Sequence, residues 1–212
     1  MSARLQTRSS ARRREVLDAA LACFAEKGVE ATSIEDICGR SGASVGSVYH
    51  LFGSKAGVAA ALYLDALADF QAAVGGQLKP ATGASDGVHA VIAAHIKWAD
   101  KNRARANYLM EARHTGTVAA HADQIRALNR EFGLAIGRWA QAHIAQGALR
   151  QMPTGLFIAQ LLGPTHEYVC GRLAGRESAP LKLAIRLLAE AAWRALGSDA
   201  SAANSKSGGS ES

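Results

Sequence analysis

Cysteine is scarce and badly spaced for covalent work. Cys23, Cys38 and Cys170 are the only three in 212 residues, odd in number and far apart. That excludes a disulfide framework and a C-x-x-C metal knuckle. Cys23 and Cys38 fall within helical patterns, where a thiol reads as a small buried hydrophobe; a redox-sensing Cys38 is the other reading. Such usage fits a reducing cytoplasm. No uninterrupted apolar run is long enough to cross a bilayer, and the Arg-rich start is unlike a signal peptide, so no membrane partner is expected. Alternating β-branched runs are missing as well, which leaves no strand repertoire for a sheet. The histidines of the second half, His89, His95, His114, His121, His143 and His166, form no H-E-x-x-H or other short ligand spacing. No metal and no cofactor is therefore expected. No internal repeat is visible.

What is present is a chain that should fold. Hydrophobic residues make up 49% and charged residues 20%, within the range of globular proteins. Lys and Arg number 24 against 18 Asp and Glu, a net charge of +6. A surplus of that size is compatible with a polyanion but common among proteins at large. Its placement says more. Arg4, Arg8, Arg12, Arg13 and Arg14 all precede the first acid, Glu15. Residues 1–10 read as a basic flexible arm, either reaching for phosphates or simply solvated.

Apolar residues recur at intervals of three and four, so the chain reads as helix almost throughout. A first helix spans about Ala11 to Lys27, with Val16, Leu17, Ala20, Leu21 and Phe24 on one face and Gly28 as its stop. "TSIE" announces a second: Thr32 caps while Glu35 reaches back, a capping box. Ile34, Ile37 and Cys38 give it a buried side, and Gly42 ends it. Ser44 then caps a third helix whose Val48, Leu51 and Phe52 point inward, and Ser54 caps a fourth that runs toward Gly75 and Gly76. The Gly- and Ser-rich segment from Gly75 to Gly87, with Pro80, is the candidate hinge. Further helices are expected over Val88–Lys101, Arg103–Arg113, Ala119–Gln146, Thr154–Leu173 and Pro180–Leu196. Residues 198–212 read as a low-complexity, disordered tail.

"GASVG", Gly42 to Gly46, fits the nucleophile elbow G-x-S-x-G, with Ser44 as nucleophile. An elbow needs a buried strand before its serine, and here a capped amphipathic helix precedes it. Two short helices separated by Gly42 and Ala43 instead make a helix-turn-helix, whose second helix enters the major groove of DNA. With Val48, Leu51 and Phe52 turned inward, Val45, Gly46, Tyr49 and His50 are left outside. Ser44 offers its hydroxyl and the free amides of a helix N-terminus to a phosphate. Gly46 permits close approach, Tyr49 and His50 can donate to phosphate or base edges, and Lys55 adds a charge at the backbone. A helical adaptor that no longer binds DNA remains a third reading.

The run from Thr32 to Lys55, "TSIEDICGRSGASVGSVYHLFGSK", closely resembles the DNA-binding signature of the TetR/AcrR family of bacterial transcriptional regulators. Thr32, Ile37, Gly42, Ser44, Gly46, Tyr49, Phe52, Ser54 and Lys55 stand in register with it. The resemblance covers about residues 10 to 65. Cys38 and Ser41 stand where alanine is usual, Leu51 replaces a common His or Tyr, and Gly57 enters the start of the fourth helix. The resemblance implies an all-α chain: a helix-turn-helix DNA-binding domain over 11–57 and a larger helical effector-binding and dimerisation domain over 58–197, with the fourth helix as connector. It implies double-stranded operator DNA, a palindromic site, as partner of a ligand-responsive, homodimeric repressor at the bacterial nucleoid, and no enzyme. The DNA-binding set is Thr32, Ser44, Val45, Gly46, Ser47, Tyr49, His50 and Lys55.

In the second half the patterns speak alone. His95, Trp98, Tyr108, Glu111, Phe132, Ile136, Trp139 and His143 recur at helical spacings as plain core or as the lining of an unknown small-molecule effector's pocket. The last two helices are apolar over wide faces. Phe157, Leu161, Leu162, Tyr168, Leu183, Leu187 and Trp193 are the candidate dimer interface, or else pack on their own chain.

Overall fold

A computed structural model of the chain describes residues 2–79, 83–112 and 121–198, with the backbone alone for 2–8. Expectations on Pro80, His114 and the tail from 199 onward fall outside the described residues. Nine helices occur among the described residues: α1 (Ser2–Ala31), α2 (Ile34–Ser41), α3 (Val45–Phe52), α4 (Lys55–Gly75), α5 (Ala84–Lys101), α6 (Arg103–Ala112), α7 (Ala122–Ala145), α8 (Thr154–Leu173) and α9 (Leu181–Leu196). No strand accompanies them among those residues; a single isolated bridge joins Leu149 to Gly197. The fold is all-α.

Three boundaries differ from expectation, among them the start of α5, at Ala84 and so inside the candidate hinge. α1 begins at Ser2, so residues 2–10 continue a helix and do not form a separate arm. Gly28 does interrupt it, at φ 78° and ψ 163°, and the last turn beyond is set off by that kink. The capping box of α2 sits one residue later than the sequence suggests. Ser33 is the cap, its hydroxyl accepting from the Asp36 amide at 3.0 Å while the Asp36 carboxylate accepts from the Ser33 amide at 2.9 Å. Thr32 is occupied elsewhere. It is 1% exposed, and its hydroxyl donates to the Gly28 carbonyl at 2.7 Å, tying off the end of α1.

The helices gather into two compact units, Met1–Ala68 with Arg103–Ile125, and Asp69–Asn102 with Arg126–Ser212. The first unit takes more of the chain than the sequence suggests, because α6 packs on α1. Tyr108 stacks on Phe24 with ring centroids 5.8 Å apart, and its hydroxyl donates to the Ala59 carbonyl at 2.8 Å. Burial, and Tyr63 beside it, hold that phenol well above its ordinary pKa, so it remains a donor. Arg105 bonds Asp65 at 2.9 Å. Around these lie Val16, Leu17, Ala20, Ile34, Ile37, Val48, Val58 and Leu62, all buried. In the second unit, α8 and α9 pack on α5 and on each other.

α4 is long and apolar enough to cross a membrane by length and composition. Its apolar residues have other uses: Val58, Ala59, Leu62 and Ala66 are buried in the first unit and Val74 in the second. The carboxylates Asp65 and Asp69, one turn apart, are engaged by Arg105 and by the Trp98 indole. It is a core helix.

Candidate nucleic-acid interface

The turn between α2 and α3 is built from local chemistry. Gly42 adopts a left-handed conformation (φ 67°, ψ 12°), which costs a side-chain-bearing residue about 1 kcal/mol or more, and its amide bonds the Cys38 carbonyl at 2.9 Å. Ala43 is buried in the turn. Ser44 caps α3, its hydroxyl oxygen accepting from the Ser47 amide at 3.2 Å. A cap of this kind stabilises a helix end by about 1 kcal/mol. The serine follows a helix and a turn, so the strand that a nucleophile elbow requires is not there.

Val48, wholly buried, anchors α3 to the core; such burial contributes about 1.5–3 kcal/mol. Phe52 packs partly against the same core, and the Arg13 guanidinium lies over its ring, 5.6 Å from the centroid. Leu51 is half-buried. The opposite face carries the expected residues: Ser44, Gly46 and His50 are exposed, Val45 is 40% and Tyr49 50% exposed, and Ser47 is half-buried. No other part of the described chain lies within 4 Å of a Cβ placed on Gly46. Packing inside the molecule therefore gives no reason for a glycine there.

Thr32 does not belong to this face. It is buried, and its hydroxyl is engaged with the backbone carbonyls of Gly28 and Cys23. Lys55 is more committed than its sequence position suggests, its ammonium donating to the Glu30 carbonyl at 2.8 Å. Gly57, at the start of α4, is a steric requirement. A Cβ there would collide with the Phe52 carbonyl oxygen. Ser54 caps the same turn, accepting from the Gly57 amide at 3.0 Å.

Two ion pairs missed in the sequence brace α1 against α2. Arg40 grips Glu26 through two bonds, of 2.7 and 3.0 Å, and Lys27 meets Asp36 at 2.7 Å. The Lys27 bond, with the Ser33 hydrogen bonds, lowers the Asp36 pKa to about 2. All four side chains are substantially exposed, so each bridge orients more than it stabilises. Cys38 is half-buried, and burial, together with Glu35, raises its pKa; a redox-sensing thiolate needs the reverse.

The effector candidates divide between the units. His95, Trp98, Phe132, Ile136, Trp139 and His143 lie in the second. There Phe70 joins His95, Trp98 and Phe132, with centroids 4.8, 5.2 and 6.4 Å away, and Trp139 meets His143 edge-on at 4.7 Å. Tyr108 and Glu111 belong to the first unit, Tyr108 in its core and Glu111 exposed, so they do not join that group. Among the dimer candidates, Phe157 and Leu161 are buried within the chain itself, which removes them from any outer face. Leu162, Tyr168 and Trp193 are half-buried, Tyr168 donating to the Ala179 carbonyl at 3.1 Å. Leu183 and Leu187 are exposed at 39% and 47%, together with Leu156 at 57%, which the sequence pattern did not single out.

Residues 16–62 match the family described as bacterial regulatory proteins, tetR family. Over 46 residues the chain is 50% identical to the HTH-type transcriptional repressor KstR2 of Rhodococcus jostii (strain RHA1), and that stretch covers 22% of each protein. The KstR2 of Mycobacterium tuberculosis (strain ATCC 25618 / H37Rv) is 48% identical over 46 residues, 22% of this chain and 23% of that protein. Among solved structures, a TetR family transcription regulator from Marinobacter aquaeolei VT8 superposes with a TM-score of 0.75 at 18% identity, covering 91% of this chain and 99% of the other. The fatty acid degradation regulator FadR from Bacillus halodurans gives 0.72 at 17% identity, covering 86% and 94%. The head is thus related in sequence to known repressors, while the likeness of the remainder is one of fold. Residues 16–62 carry the helix-turn-helix domain of the tetR family of bacterial regulatory proteins, and the chain as a whole shares the all-helical fold of the TetR regulators it superposes on.

Proposed function

We propose that this protein is a sequence-specific DNA-binding transcriptional repressor that acts as a homodimer and leaves its operator when a small molecule binds the second unit. The observation that carries the reading is the outer face of α3. Ser44, Val45, Gly46, Tyr49 and His50 are presented together on a short helix locked at both ends and anchored by Val48. Such a helix lies in the major groove, with its free N-terminal amides at a phosphate and its side chains at base edges. Gly46 supports this: a glycine with no intramolecular purpose on an exposed helix suits close approach by another molecule.

A two-fold operator calls for a two-fold protein, with recognition helices about 34 Å apart. Exposed Leu156, Leu183 and Leu187 on the last two helices suit a partner subunit, and light scattering at micromolar concentration should report twice the chain mass. A route for the effector is the continuous helix α4, which supplies Leu62 to the core of the first unit and Val74 to that of the second. A ligand that shifts α4 changes how the two heads match the operator, and by linkage DNA weakens the ligand equally.

Selecting bound sequences from random DNA and measuring the winner by gel shift tests the reading. Gly46→Ala separates its parts. Alanine is a better helix former by about 1 kcal/mol, so the variant should melt no lower than wild type, yet bind the selected site at least tenfold more weakly. Undetectable binding at low salt by the wild type, or full affinity in Gly46→Ala, would overturn the assignment of α3. A compound screen for operator release tests the effector role.

A further inference from the structure

Two buried polar atoms of the second unit have no hydrogen-bond partner, Nδ1 of His95 and Nε1 of Trp139. Each such atom costs about 1–3 kcal/mol if left bare, so each calls for an explanation. They lie at the two ends of one seam. Trp139 of α7 rests on Gly87 of α5, where an added Cβ would collide with the indole ring. Eight residues further along α5, His95 meets the edge of Phe70, and Phe70 in turn touches Phe132 of α7. Gly87 and His95 are eight residues, roughly 12 Å, apart along α5.

The seam between them is hydrocarbon. Val91 on α5 and Ile136 on α7, midway along each helix, are wholly buried. No buried Lys, Arg, Asp or Glu occurs among the described residues; the buried polar side chains of this unit are His95, His143 and Thr165. Trp139 can only donate, whereas a neutral imidazole donates or accepts according to its tautomer. At the His95 end Phe70 and Phe132 are half-exposed, which leaves an approach from solvent. A carboxylate ligand would meet no buried Lys or Arg there, only the imidazoles of His95 and His166, whose centroids are 6.2 Å apart.

We propose that the second unit takes an uncharged, elongated, mainly apolar molecule with a hydrogen-bonding oxygen at each end, one accepting from the Trp139 indole and the other meeting Nδ1 of His95. This rests on the reading that the second unit holds the effector, and adds the chemistry of that ligand.

Three rigid probes of matched shape test it on the full chain: 4,4′-dihydroxybiphenyl, which carries a hydroxyl at each end, 4-hydroxybiphenyl, and biphenyl-4,4′-dicarboxylate. By calorimetry the diphenol should bind more tightly than the monophenol by about five- to tenfold, and the dicarboxylate should not bind. Trp139→Phe and His95→Phe should each reduce the diphenol to the affinity of the monophenol. In wild-type protein the Trp139 indole proton resonance should move downfield on saturation, a readout that does not depend on a variant's folding. An unmoved indole, equal binding of the dicarboxylate, or no binding of any probe would overturn the proposal. Operator release is read separately. A diphenol that binds through Trp139 without loosening the DNA complex supports this site and refutes its regulatory role. Compounds that release DNA while leaving the indole resonance in place refute this site and support an effector bound elsewhere.

Discussion

Acid should weaken the second unit through His95. The imidazole is 4% exposed, and burial, with a smaller contribution from His166 of α8, lowers its pKa from 6.5 to about 4. In the unfolded chain the same group titrates near 6.5. Above that value both states are neutral, and His95 adds no pH dependence. Between 6.5 and about 4 the unfolded state binds a proton that the folded state refuses, so stability falls as pH falls, and levels off below. At about 1.4 kcal/mol per unit, going from about pH 7 to about pH 4.5 costs roughly 2–3 kcal/mol, a large part of the 5–15 kcal/mol typical of a domain. The rings around His95 are Phe70 from α4 and His166 from α8. Urea unfolding followed by tryptophan fluorescence reads this unit directly, because Trp98, Trp139 and Trp193 all lie within it. His95→Phe keeps an aromatic ring and removes the titration. Wild type should lose about 2–3 kcal/mol more than the variant between the two pH values. Equal losses would refute the claim that a buried, neutral His95 sets the acid sensitivity.

Thr32→Val should lower the stability of the first unit by about 1–2 kcal/mol, measured by thermal melting, and leave DNA affinity unchanged well below the melt. Weaker DNA binding by a fully folded variant would return the hydroxyl to the interface. Gly57→Ala should destabilise by about 1–3 kcal/mol, because the collision with the Phe52 carbonyl outweighs a helix-propensity gain of about 1 kcal/mol. A raised melting temperature would show that the turn yields. Lys55→Ala should weaken binding on all sequences alike and reduce the slope of log affinity against log salt by about one, since two ammonium protons remain beside the bond to Glu30. An unchanged slope would make Lys55 purely a clasp between α4 and the end of α1. Replacing His50 or Val45 should instead change which operator is selected; uniform weakening would count against base contact at those positions.

The recognition unit could be read before any coordinates because its instructions are local. Ser44 and its Ser47 amide, and Gly42 and its Cys38 carbonyl, are each within four residues of one another, so cap and turn chemistry alone prescribes two short helices at an angle. Hydrophobic period then decides which face of α3 turns inward. Thr32 and Ser33 show the limit of such reading. Both are good caps with an acid three residues on, and only the tertiary demand of the α1 terminus for a donor assigns Thr32 there and leaves the box to Ser33. Gly57 is a similar case: propensity scores it as a defect, because the Phe52 carbonyl that excludes a side chain is brought near only by the α3–α4 corner.

Beyond the head, helical period located the helices to within a few residues, but it could not say which stripes meet. Tyr108 reads equally well as pocket or core until α6 is seen to return to Phe24 and Ala59. Phe157 and Leu187 look alike as apolar residues on amphipathic helices, yet one is 1% and the other 47% exposed. Periodicity specifies a face, whereas burial depends on what arrives to cover it from distant parts of the chain. The orphaned atoms of His95 and Trp139 belong to that second kind of information, since a missing partner exists only once every neighbour has been placed.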